Sequence, residues 1–186
     1  MKIIGLAGTH ASGKDTVAQY LVDKYGFYHI STSDIVRDAA MRKYGTIERP
    51  VLYKTANAIR HKDGYGALSK LALQKFEVIK DGFKGLVVSG FRAKAEAQVI
   101  KDAGGLVIFV DAPEQMRYER LHGRARAEEG ELTFEQFKQR EEKENGGADK
   151  NFDISAISAI ADKVIINDKD RKSLLKAVDD FMNKSS

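Results

Sequence analysis

Cysteine is absent from the 186 residues. That excludes disulfides, thiolate catalysis and Cys-ligated zinc together. Histidine is scarce: the four are His10, His29, His61 and His122. No two of them stand at a metal-ligand spacing, which argues against a His-based metal site. Long apolar runs are also missing. Residues 1–7 are apolar, but the run is short and Gly8 to Lys14 follows at once. A secretory signal needs a basic head and a longer apolar stretch, and a membrane span needs about 20 apolar residues. The expectation is a cytoplasmic protein with no membrane partner. No sign of charge dominates either: 31 Lys+Arg against 27 Asp+Glu leave a net +4. Such an excess suits an anionic small molecule and is too small to imply nucleic acid.

What is present reads as one soluble domain over residues 1–186, since this length supports one sizeable core and is short for two. Residues 2–7 form a continuous apolar run, the pattern of a strand buried on both faces of a parallel sheet. Val17, Tyr20, Leu21 and Tyr25 then recur at helical spacing until Gly26 stops them. A second strand spans 27–30. Ser31 and Thr32 offer N-caps for a helix that Gly45 ends. Residues 46–85 read as helical and irregular, with Pro50 breaking the start and a turn at Gly64-Tyr65-Gly66. Further strands are predicted at 86–88, 106–110 and 164–166, with helices at 93–101, from Pro113 to 122, from Thr133, and at 171–182. Thr133 and Gln136 form a capping box, and the charged stretch 123–132 between helices reads as a loop. Strands alternating with helices predict an α/β fold, a doubly wound five-stranded parallel sheet.

The segment Gly8-Thr9-His10-Ala11-Ser12-Gly13-Lys14-Asp15-Thr16 carries the chemistry. Its glycines let successive backbone N–H groups turn toward phosphate oxygens, and the helix opening near Lys14 adds its positive end. Lys14 is placed to reach the β- and γ-phosphates. A buried strand before and an amphipathic helix after supply the context this phosphate loop requires. Gly8, Ala11, Ser12, Gly13, Lys14, Asp15 and Thr16 are therefore candidate contacts for ATP. The strict pattern G-x-x-x-x-G-K-[ST] departs at Asp15, which stands where Ser or Thr would bind magnesium, and Thr16 comes one place later. Asp15 is a candidate Mg2+ ligand, because that ion prefers oxygen. The alternative is that Asp15 only favours the helix first turn electrostatically.

Lys14-Asp15-Thr16 resembles the Lys-x-Thr of nucleoside monophosphate kinases, adenylate kinase among them. Ser12-Gly13-Lys14-Asp15 is similar to viral deoxynucleoside monophosphate kinases and phosphomevalonate kinases. His29-Ile30-Ser31-Thr32-Ser33-Asp34-Ile35-Val36-Arg37 resembles the H-I-S-T-G-D segment, followed by two apolar residues and Arg, that holds the monophosphate in adenylate kinase. The resemblance implies that Thr32 and Arg37 contact the acceptor, with Asp34 beside them. Val87-Val88-Ser89-Gly90-Phe91-Arg92 resembles that family's D-G-F-P-R stretch, which makes Arg92 a second acceptor clamp. Here Ser89 replaces an acidic residue that helps hold hydrated magnesium, and no proline precedes Arg92.

Toward the C-terminus, Arg117, Arg120 and Arg124 fall at i, i+3 and i+7, so they line one face of a continuing helix. Arg126 follows in the loop and Arg140 lies on the next helix. Arg117-Tyr118-Glu119-Arg120-Leu121 resembles an archaeal group of dephospho-CoA-kinase-like proteins, as does Ala56-Asn57-Ala58-Ile59-Arg60 with the following glycine turn. Ala161-Asp162-Lys163-Val164-Ile165-Ile166-Asn167 resembles the end of dephospho-CoA kinases, where this segment borders the adenine of ATP. These resemblances imply that Arg60 touches the acceptor and that Arg120 and Asn167 border ATP. They also imply a P-loop NTPase fold of the nucleoside monophosphate kinase type, with a helical acceptor-binding insertion at 32–85 and a lid at 123–145. The implied activity is transfer of the γ-phosphoryl group of ATP, with Mg2+, to a nucleoside or deoxynucleoside monophosphate. Lys14, Arg124, Arg126 and Arg140 would stabilise the moving group. The alternative is a dephospho-CoA kinase, whose hydroxyl acceptor needs a base, for which Asp34 is the candidate. Either way the partner is a small-molecule phosphate acceptor, a nucleotide or CoA precursor. A nucleotide-dependent switch ATPase is the reading from another class.

Overall fold

Five short apolar runs become the five strands of one parallel sheet in a computed structural model that describes residues 1–122, 133–146 and 153–184. The chain order is β1 (Lys2–Gly8), α1 (Lys14–Tyr25), β2 (Phe27–Ser31), α2 (Thr32–Tyr44), α3 (Arg49–Asp63), α4 (Ala67–Ile79), β3 (Gly85–Ser89), α5 (Lys94–Asp102), β4 (Leu106–Asp111), α6 (Glu114–His122), α7 (Phe134–Gly146), α8 (Ile154–Ser158), β5 (Lys163–Ile166) and α9 (Arg171–Lys184). The sheet order is β2-β3-β1-β4-β5, and every pairing is parallel. This is the doubly wound α/β arrangement that the alternating pattern predicts.

The two-sided burial of the strands explains their composition. Val87, Ile108 and Val110 turn to one face, where Val17 and Leu21 of α1 and Leu174 and Val178 of α9 cover them. Leu86, Val88, Val107 and Phe109 turn to the other, against α4, α5 and Ile157 of α8. A strand with both faces covered has no polar alternation to show. Gly26 and Gly45 take the left-handed conformation that closes α1 and α2, and Ser31 caps α2 by accepting from the Ser33 amide.

Two elements differ from the sequence expectation. Pro50 does not break a helix; it sits in the first turn of α3, where a missing N–H costs nothing. The five-residue α8 has no counterpart in the periodicity, and Asp153 starts it by accepting from the Ser155 and Ala156 amides. No described helix is long and apolar enough to cross a membrane.

The register brings the carboxyl ends of the strands to one edge. Leu6 and Ser31 both align with Ser89, and Gly8 aligns with Val110. Chain direction reverses its winding at β1, which lies between β3 and β4. Sheets of this kind bind ligands at that crevice.

Candidate functional site

The phosphate loop leaves β1 at Gly8, where a Cβ would lie 2.0 Å from the Val110 carbonyl oxygen. Only glycine fits so close to the neighbouring strand. The loop is braced from β4: the Thr9 hydroxyl donates to Asp111 Oδ1 at 2.6 Å, and Asp111 also accepts from the Ala112 amide. Ala11 holds a left-handed φ of 56°, and Gly13, the N-cap of α1, holds φ 101°. Gly13 offers no side-chain cap, so the first-turn N–H groups of α1 need an acceptor from outside the helix. Lys14 Nζ donates to the Thr9 carbonyl at 3.2 Å and bridges the loop. Ser12 is fully buried, yet its Oγ has no hydrogen-bond partner among the described residues. Asp15 is exposed and Thr16 is half-buried in the helix first turn.

Across from the loop lies the acceptor wall. A cleft of about 350 Å³ is lined by His10, Lys14 and Asp15 from the loop and by Asp34, Arg37 and Arg92 from the ends of β2 and β3. Arg37 and Asp34 form an exposed ion pair at 2.5 Å on the first turns of α2. Arg92 is exposed between the buried residues Phe91 and Ala93. Thr32 is placed differently: it is buried beneath Gly90, where a Cβ would come within 3.1 Å of its hydroxyl. It supports the Gly90 turn and does not line the cleft. Arg60 also stays off the cleft lining; its guanidinium lies 3.8 Å from the buried Glu96.

Ser89, at the end of β3, bonds to His29 Nε2 at 2.7 Å, and both line the cleft. The His29 ring edge reaches solvent, but the cleft walls strip enough water from it to lower its pKa. Asp34 and Asp15 pull the other way.

On the other side of the loop, Asn167 follows β5 and donates from Nδ2 to the Ser12 carbonyl at 2.8 Å. Arg120 donates to the Asn167 carbonyl at 3.0 Å, while its other terminal nitrogen is buried with no hydrogen-bond partner among the described residues. Arg117 does not join a row of lid arginines. Its side chain turns inward, donating to the Ala112 carbonyl and pairing with Glu141 of α7. Burial pushes the Glu141 pKa up, against the opposing pull of Arg117. Arg124 and Arg126 lie outside the described residues, and so does the side chain of Arg140. Glu141, which lines the cleft, and Asp111 and Glu96, which brace its walls, are residues that sequence reasoning did not single out. Only Asp111, directly after the apolar run of β4, carried a local signal.

The residues present fit a bound nucleoside triphosphate. The Ser12 hydroxyl and the spare Arg120 nitrogen are buried polar groups whose unmet bonds are costly unless a ligand supplies the partner. For magnesium, the described residues contain no group of three or more His, Asp or Glu that could hold an ion. One or two carboxylates plus substrate phosphates and water is the usual set of ligands for this ion, and Asp15 and Asp34 both line the cleft as carboxylates that could contribute to it.

Comparison with known proteins agrees with this architecture. Residues 7–136 match the family described as AAA domain. A UPF0200 protein of Sulfurisphaera tokodaii is 34% identical over 172 residues, covering 90% of this chain and 88% of the relative. A UPF0200 protein of Thermococcus kodakarensis is 27% identical over 190 residues, covering 98% and 99%. Among solved structures, a Thermus thermophilus protein superposes with a TM-score of 0.66 at 18% identity, covering 100% of this chain and 98% of that one. A shikimate kinase from Acinetobacter baumannii, in complex with shikimate, gives 0.56 at 14% identity, covering 99% and 94%. At these identities the structural matches establish a shared P-loop kinase-like fold.

Proposed function

The chain belongs to the UPF0200 family and carries an AAA domain, and from that premise we propose that it is an ATP-dependent kinase whose acceptor is the phosphate of a nucleoside or deoxynucleoside monophosphate. One observation carries the reading: two exposed guanidinium groups, Arg37 and Arg92, share a single cleft with Lys14 of the phosphate loop. A guanidinium grips phosphate in a two-pronged way, and two of them beside a triphosphate site describe a donor and an acceptor that are both anionic.

In this reading an oxygen of the acceptor phosphate attacks the γ-phosphorus. The bond to the β–γ bridging oxygen breaks, and its electron pair leaves with ADP. A phosphate oxygen is already nucleophilic, so no base is needed. The chain's work is positioning and charge neutralisation by Lys14 and the loop amides. Asp15 and Asp34 would hold magnesium, which when bound offsets phosphate charge. Arg120 and Asn167 would border the base of ATP, with Asn167 tied to the loop through Ser12. Residues 123–145, with Arg124, Arg126 and Arg140, would close as a lid that excludes water. Residues 32–85 would form the acceptor side of one kinase domain.

A second reading, phosphorylation of a hydroxyl as in dephospho-CoA kinases, draws on Asp34 as base. Asp34 lines the cleft, where its Oδ1 accepts from Arg37 and its Oδ2 is the oxygen that would take the proton. An ADP-release assay over nucleoside monophosphates, deoxynucleoside monophosphates and dephospho-CoA separates the readings. A rate raised by a monophosphate is expected. A rate raised by dephospho-CoA alone overturns the phosphate-acceptor reading, and ADP release that ignores every acceptor leaves a switch ATPase.

A further inference from the structure

Glu96, in the first turn of α5, has no exposed surface. Its Oε2 accepts from the amides of Arg92 at 2.8 Å and Ala93 at 3.0 Å. Its Oε1 makes no hydrogen bond among the described residues and faces the Arg60 guanidinium of α3 at 3.8 Å. The bond to the Ala93 amide is the N3 half of a capping box, but capping alone does not require the carboxylate to be fully buried or to bond the Arg92 amide as well. Taking a carboxylate out of water is expensive unless it is paired and hydrogen-bonded. Burial accordingly drives the Glu96 pKa up, with Arg60 and the two amides opposing. The groups it holds lie at the acceptor wall. Arg92 is the exposed residue of the stretch 91–93, its two neighbours being buried, so the main chain that Glu96 holds sets where its side chain leaves the backbone.

We propose that Glu96 is the positioning residue of the acceptor clamp: it anchors the Arg92 main chain and pairs with Arg60, so that presentation of Arg92 to the cleft depends on where α3 sits. The inference rests on the reading of Arg92 as an acceptor contact. Its consequence is that the acceptor helices and the β3–α5 turn act as one unit, with an ion pair off the cleft setting acceptor affinity.

Glu96→Gln keeps the size and one acceptor oxygen while removing the charge opposite Arg60. Arg60→Gln breaks the pair from its less buried side and serves if the first variant does not fold. Amide exchange measured by NMR on the protein without ligand tests the anchor with no assumption about substrate. Weakening of these bonds as the charged acceptor becomes a neutral amide should speed exchange at Arg92 and Ala93 by roughly tenfold or more in Glu96→Gln, and Arg60→Gln should act in the same direction by removing the counter-charge that holds Glu96 in place. Unchanged exchange in both variants overturns the proposal. With whichever phosphate acceptor the wild type turns over, Glu96→Gln should raise acceptor KM about tenfold and leave ATP KM within about twofold. Arg92→Ala should add little on top of it, because groups acting through one contact are non-additive. Independent effects of the two variants, or equal rises in both KM values, sink the proposal and leave the kinase assignment standing. If the wild type turns over no phosphate acceptor, the assignment falls and the exchange measurement alone decides the anchor.

Discussion

Replacing Gly13 by alanine tests whether the loop between β1 and α1 is a preformed phosphate cradle. Gly13 sits at φ 101°, and a Cβ there would lie 2.6 Å from Asn167 Nδ2. Two costs follow. A side chain in that backbone region costs about 1–3 kcal/mol. The Asn167 amide must also withdraw, weakening its 2.8 Å bond to the Ser12 carbonyl, at about 0.5–1.5 kcal/mol. The loop can relieve both by leaving its present shape, so the cost appears as a smaller fraction of binding-competent protein. The combined figure, about 1.5–4.5 kcal/mol, corresponds to an ATP affinity lower by on the order of 10- to 1,000-fold. Gly82 is the control. It has φ 96° and nothing among the described residues within 4 Å of its Cβ position, in the turn entering the amino end of β3 and outside the cleft lining. Gly82→Ala should lose about 1–3 kcal/mol of stability and no ATP affinity. Titration calorimetry with ATP and thermal melting of both variants separate the two effects. A Gly13→Ala variant that binds ATP within about twofold of wild type refutes the cradle, since that shift is smaller than the lowest cost above.

Lys14→Ala should lower kcat by on the order of 10²-fold or more with the circular dichroism spectrum unchanged, and near wild-type turnover contradicts the phosphate-loop assignment. Asp34→Asn should act on acceptor KM or on magnesium dependence if the acceptor is a phosphate; a kcat loss of roughly 10²–10⁴ with a hydroxyl substrate identifies it instead as a base. Asp179 carries a stability signature with pH. Burial raises its pKa, but hydrogen bonds from Lys24, Tyr25 and Tyr20 outweigh that and hold it below the usual carboxylate range. Its contribution is therefore complete above the unfolded pKa of about 3.9 and lost as pH falls through the lower folded value. Burial and the bond to Asp179 raise Tyr25 to about 12, so its contribution disappears as pH climbs from about 10 toward that value. Melting curves should accordingly be flatter below pH 4 for Asp179→Asn than for wild type, and parallel acid limbs exclude the clamp.

What could be read from the sequence was whatever a contiguous stretch determines. Leu86, Val87 and Val88 announce a strand because both faces of β3 are covered, and Gly26 and Gly45 announce helix ends because a left-handed cap favours glycine. The phosphate loop and residues 29–37 were legible for the same reason, since each is one turn of chain around one ligand. Arg117 shows where this stops. Spacing places Arg117 and Arg120 on neighbouring turns of α6, but which way each points depends on partners that lie elsewhere in the chain. Glu141, 24 residues on, draws Arg117 inward, and Asn167, 47 residues on, receives Arg120. Glu96 is harder still. In Lys94-Ala95-Glu96-Ala97 it has the composition of a solvated helix face, yet the approach of Arg60 and the turn of Arg92 make burial of its charge tolerable. Ser89 lies between the two cases. Its position after an apolar run marked the end of β3, but its bond to His29 follows from the β2–β3 register, which sets Ser31 beside Ser89. A charged or hydroxyl residue thus declares its chemistry locally. Whether that chemistry faces ligand or protein is decided by desolvation, and desolvation is a property of the packed chain.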